Sequence, residues 1–144
     1  MQDNRFDRSI PHAVTCLFRE QNRRYGRVVE PFGVSAEQAH LLTLLWTRGP
    51  LSMGELGREA ALSSGTLSAA IDRMEAAGLV ARVKDPEDGR GVRVEAAKWP
   101  AAKRERLLGT LLAAEEEMLA NLSERERATL HTLLTRVLAT FRRE

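Results

Sequence analysis

One change of period governs this chain. Up to Ala77 the apolar residues recur at helical spacing, and from Leu79 to Glu95 they alternate instead. Leu79-Val80-Ala81-Arg82-Val83 and Val92-Arg93-Val94-Glu95 read as strands. Between them, Asp85-Pro86-Glu87-Asp88-Gly89-Arg90-Gly91 is turn chemistry. The pair predicts a β-hairpin with a charged tip, set into a chain that is helical on both sides.

The helices announce themselves by their ends. Ser9 to about Glu30 reads as one long helix, stopped by Pro31 and Gly33. Ser35 with Gln38, Ser52 with Glu55 and Ser123 with Glu126 match the capping box, in which hydroxyl and third-residue side chain satisfy free N–H groups. The Ser35 helix runs to a Gly49-Pro50 stop, and a short helix covers about Met53 to Ala60. Ser63 caps a third helix that runs to Ala77, with Gly78 as its left-handed C′ residue. Pro100 opens a long helix, and a last one carries Leu130, Leu133, Leu134, Val137, Leu138 and Phe141.

Length and composition restrict the class. The 144 residues amount to one domain, and 43% hydrophobic content is ordinary for a globular protein. Lys and Arg exceed Asp and Glu only by 22 to 20, so any basic surface must come from clustering. A lone cysteine, Cys16, excludes an intrachain disulfide framework and suits a reducing cytoplasm. The polar stretch Met1 to Asp7 lacks the apolar run of a secretory signal, and no run approaches a membrane span, so a cytoplasmic protein without a membrane is expected.

Helix, turn, helix, hairpin is the order of a winged helix-turn-helix. The expected fold class is therefore mainly α (α+β winged helix), with a two-stranded β wing. An α-helix fits the major groove of duplex DNA and presents its N-terminal side chains to base edges. Leu62, Leu67, Ala70, Ile71 and Met74 would face inward, leaving Ser64, Gly65, Thr66, Ser68, Ala69 and Arg73 outward beside the capping Ser63. Small residues let the backbone approach DNA closely, and Arg73 suits a phosphate. A hairpin tip carrying arginine fits the minor groove alongside.

These residues carry a family resemblance. Leu62-Ser63-Ser64-Gly65-Thr66-Leu67-Ser68, Ile71-Asp72-Arg73-Met74-Glu75 and Gly78-Leu79-Val80 resemble the reading helix of MarR-family regulators, and Asp85 to Val94 resembles that family's Asp-x-Arg wing. Asp88 and Arg90 fall on the wing motif. The resemblance implies that Arg90 enters the minor groove and that Asp88 holds the tip through a basic partner, for which Arg82 is the candidate. Two segments depart. Ala96-Ala97-Lys98-Trp99-Pro100 replaces the family's Leu-Thr-x-x-Gly, and Ala69 stands where an arginine is frequent.

The expected layout is one intertwined domain in three parts. Residues 1–34 form an N-terminal dimerisation helix, 35–98 the winged DNA-binding lobe and 99–144 the C-terminal dimerisation helices. The terminal helices hold more Leu, Val and Phe than the lobe can cover, and a two-fold homodimer is the commonest solution. It would set two reading helices roughly 34 Å apart, matching a pseudo-palindromic operator. The resemblance further implies a repressor released by a small aromatic or phenolic ligand, bound between the dimer helices and the lobe. His40, Trp46 and Trp99 are the candidates to line that junction, with packing the stronger reading for the two tryptophans.

Cys16 lies one turn after His12 on the same helix face, where an imidazolium would activate the thiol. A thiol-based redox regulator is therefore an alternative. Alignment through Tyr25 nevertheless puts Cys16 about one and a half turns beyond the sensor position of the hydroperoxide-sensing relatives. His12 and Cys16 also have ligand spacing, but nothing else joins them, so no metal and no cofactor is expected. Gly-x-Ser-x-Gly, a phosphate loop and His-Glu-x-x-His are all absent, and an enzyme is not expected. The remaining rival is a winged protein-interaction module without DNA binding. The charge that discriminates it lies on Arg58, Arg73, Arg82, Lys84, Arg90, Arg93 and Lys98, diluted by Asp85, Glu87 and Asp88.

Overall fold

Serine starts five of the six helices among the described residues, which are 5–142 of the computed structural model. Met1–Asn4, at the head of the polar N-terminal stretch, and 143–144 at the end of the last expected dimerisation helix lie outside them. Helix α1 spans Ile10–Val29, with the Ser9 hydroxyl accepting the His12 N–H. A tight turn, Glu30–Phe32, and Gly33 at φ 75° end it. Helices α2 (Ala36–Arg48), α3 (Met53–Ala60) and α6 (Glu124–Phe141) each open on a complete capping box. Helix α4 covers Ser64–Ala76 behind Ser63, and Gly78 follows at φ 74°. Helix α5 (Ala101–Met118) starts after Pro100, which offers no side-chain cap.

The sheet holds one strand more than the two expected. Leu51–Ser52 forms β1 and pairs with β3 (Val92–Ala96), which also pairs with β2 (Val80–Lys84), all antiparallel in the order β1-β3-β2. Two residues are too few to show alternation, so β1 left no periodic trace. Its pairing of Leu51 with Val94 and Ser52 with Arg93 fastens the wing to the start of α3.

The core lies where α1, α2, α3, α4 and α5 meet the sheet. Val29, Leu41, Leu42, Leu56, Leu67, Ile71, Met74, Val94 and Leu107 are fully buried. Each such aliphatic side chain contributes about 1.5–3 kcal/mol over an exposed one. Of the inward set expected of the reading helix, Leu67, Ala70, Ile71 and Met74 are buried and Leu62, just ahead of it, is half-buried. The opposite holds at the ends of the chain. No residue of α6 is buried, and Ile10 and Phe141 are 71% and 70% exposed. Val14, Leu17, Phe18, Leu133, Leu134, Val137 and Leu138 also stand in solvent. No helix among the described residues is long and apolar enough to cross a membrane.

Candidate nucleic-acid interface

The first turn of α4 is an exposed ledge of small residues. The Ser63 hydroxyl accepts the Thr66 N–H and donates to the Thr66 hydroxyl at 2.9 Å, so both hydroxyls serve the cap. Ser64, Gly65, Thr66 and Ala69 are exposed, Ser68 is half-buried, and Arg73 projects one turn later. A methyl group built on Gly65 would meet no atom within 4 Å, so the site is open. The free N–H groups of a helix start attract phosphate, and the missing side chains let the backbone reach it. Ahead of α4, Ala61 closes α3 in the left-handed conformation at φ 54°, which sets the turn between the two helices.

The wing is held differently from the expected pairing. Arg82 does not reach Asp88. Its guanidinium donates to Glu75 at 3.0 Å and to Asp72 at 2.8 Å, both on α4. The register explains this, since Arg82 pairs with Val94, well back from the tip. Asp88 instead accepts the Arg90 N–H at 3.1 Å, and its carbonyl accepts the Gly91 N–H, a turn built on the tip itself. The basic partner in the wing is Arg93, whose Nε stands 3.1 Å from Asp85 and whose guanidinium donates to the Pro50 carbonyl. The Glu87 N–H and Arg93 together hold the Asp85 carboxyl below its ordinary range. Arg90 is left exposed at the tip, with no ion pair among the described residues.

The basic ring is thereby thinned. Arg82 and Arg93 are spent inside the protein, while Arg58, Arg73, Lys84, Arg90 and Lys98 stay exposed.

Beside this lobe, α1, α2 and α5 enclose an open cavity of about 580 Å³ that reaches Ala60 and Leu62. His40 lines it, with Phe18, Tyr25, Leu111, Glu37 and Glu115. Burial lowers the His40 imidazole below the ordinary histidine value, against the pull of Glu37. Burial, then Glu115, raises the Tyr25 hydroxyl. Trp46 and Trp99 are not on the cavity wall. Their rings meet edge to face at 5.2 Å, Trp46 Nε1 donates to the Ala97 carbonyl, and Lys103 sits 4.0 Å over Trp99. They seal the junction where this chain lacks the capping threonine. Cys16 is exposed on α1, with its Sγ 3.7 Å from His12 Nε2. No cluster fit to hold a metal occurs among the described residues.

The model of the MarR family matches residues 34–92, the stretch from the end of the first turn to the first residue of β3. The chain is also 29% identical over 140 residues to the organic hydroperoxide resistance transcriptional regulator of Bacillus subtilis, covering 92% of this chain and 95% of that one. The stretch matched by the family model, helix-turn-helix and wing, is a MarR-family domain. Among solved structures it is similar to a cysteine-to-serine mutant of MarR from E. coli complexed with operator DNA, at TM-score 0.78, 27% identity and coverage of 92% and 97%. The wild-type apo form of E. coli MarR gives 0.70 at 26% identity, over 90% and 97%.

Within this MarR-family frame, three residues of the site escaped the sequence reading. Glu75 and Asp72 appear as surface charges on α4, and only the packing of β2 against that helix makes them the seat of Arg82. Asp85 was readable as a partner of Arg93, because the two flank the Lys84–Val92 pair of the hairpin.

Proposed function

We propose that this MarR-family regulator binds duplex DNA as a homodimer, laying the start of α4 in the major groove and Arg90 in the adjoining minor groove. The observation that carries this is the exposed ledge of Ser64, Gly65, Thr66 and Ala69, together with an exposed Arg90 that has no ion pair among the described residues. The apolar faces of α1 and α6 support pairing of two copies, because so much exposed Leu, Val and Phe is unusual for a monomer. Two-fold pairing presents two reading helices to successive major grooves, hence a pseudo-palindromic operator. The cavity supports release by a small aromatic ligand, lying against both the long helices and the helix-turn-helix. A dimer seated on a promoter blocks it, so repression is the action we assign, in the cytoplasm where the chromosome lies.

The test is fluorescence anisotropy with labelled duplex from immediately upstream of the protein's own gene, across several salt concentrations. A random duplex of equal length is the control. Tighter, salt-dependent binding of the upstream duplex is the expected result. No binding even at low salt would favour the protein-interaction module instead.

A second reading rests on Cys16 and His12 standing 3.7 Å apart on an exposed face. Attack of the thiolate on an organic hydroperoxide would give the sulfenic acid and release the alcohol. Loss of DNA binding on treatment with cumene hydroperoxide, spared in Cys16→Ser, is its signature.

A further inference from the structure

We propose that the cavity between α1, α2 and α5 takes a positively charged aromatic molecule, an aromatic amine, rather than an aromatic acid. This rests on the ligand-release reading above and names the ligand's chemistry. The cavity's volume of about 580 Å³ suits a small organic molecule. Phe18, Tyr25 and Leu111 give it aromatic and apolar walls.

Its charge is all of one sign. Glu37 and Glu115 line it, and no lysine or arginine does. Neither carboxylate has an ion-pair partner among the described residues. The neighbouring Glu117 is engaged by Arg24 and Glu116 by Arg127, which leaves Glu115 as the free carboxylate of that run. Burial shifts the His40 imidazole toward its neutral form, so it is a weak counterweight to the two carboxylates. Tyr25, held protonated, offers a hydroxyl and a ring face.

A carboxylate ligand entering here would shed water beside two negative groups with no cation to replace it. An ammonium would gain a charge-assisted hydrogen bond from either carboxylate and a cation–π contact over Tyr25 or Phe18. The chain's net charge of +2 does not reverse this, since exposed charges beyond about 8 Å are largely screened at physiological salt.

The test is calorimetric titration of the full-length, DNA-free protein near neutral pH with three indoles of similar size. Tryptamine is cationic, tryptophol neutral and indole-3-acetate anionic. Tryptamine is expected to bind roughly ten-fold more tightly than indole-3-acetate, with tryptophol between them. The double substitution Glu37→Gln with Glu115→Gln should abolish that order while tryptophol binding and the melting temperature hold. Equal or tighter binding of indole-3-acetate overturns the proposal, as does a preference that survives the double substitution. In a parallel anisotropy assay on the DNA-bound protein, release by tryptophol or the acid as effective as by tryptamine would overturn the charge assignment and leave ligand release standing. If none of the three binds, both fail.

Discussion

Arg82 grips Glu75 twice. Its backbone N–H donates to one carboxylate oxygen at 2.9 Å and its guanidinium to the other at 3.0 Å. The first wing strand is thus bolted to the exposed side of the reading helix, and Asp72 takes the remaining arm at 2.8 Å. Wing and helix are held as one unit by three residues that need not touch DNA.

Acid should loosen that bolt. The Arg82 N–H, and then its guanidinium, hold the Glu75 carboxyl below the ordinary carboxylate value. A depressed folded pKa means that the stabilisation is fully present above the unfolded value and is lost as pH falls through the folded one. Circular dichroism melts across an acid series should therefore show a shallower acid decline for Glu75→Gln than for the parent. Parallel declines would mean that the bolt carries no stability.

Arg90→Ala tests the wing. The side chain is exposed and unpaired among the described residues, so its loss leaves the fold intact. Operator affinity should drop by about 1–3 kcal/mol per wing and the salt slope by about 1, read from anisotropy titrations. Unchanged affinity would take the wing off the DNA.

Gly65→Ala separates folding from reading. The added methyl meets nothing in the free protein and improves helix propensity, so urea stability should hold or rise by about 0.5 kcal/mol. DNA affinity should fall, because the methyl stands between the helix start and a phosphate. A variant that binds as well as the parent would place the contact elsewhere on α4.

Trp99→Ala addresses the junction into α5. Removal takes away the edge-to-face contact with Trp46 and the platform under Lys103. A loss of about 2–3 kcal/mol in urea unfolding is expected for this half-buried ring. A change below about 0.5 kcal/mol would leave the uncapped start of α5 without its support.

Helix starts were the most readable part of the chain, because a serine hydroxyl and the side chain three residues on act locally. Ser35 with Gln38 and Ser123 with Glu126 form from sequence neighbours alone. The burial of Leu67, Ile71 and Met74 was equally legible, since one helical period fixes it. What escaped was long-range. Strand β1 exists because β3 lies beside it, and Arg82 chose Glu75 over Asp88 because of register and packing. For Trp46 and Trp99 packing was the stronger reading over a place on the cavity wall, and only the fold sends His40 to the cavity and the tryptophans to the junction.

The cavity wall and the exposed ledge of α4 share no residue among those described: nothing from Ser63 onward through the wing lines the cavity. If the cavity holds the releasing ligand, as proposed, then what the protein senses and what sequence it reads can drift apart over generations without one damaging the other. The same separation makes the chain a chassis. Exchanging residues 63–95 for those of a relative would re-address the sensor to a different promoter while keeping its response to the original small molecule.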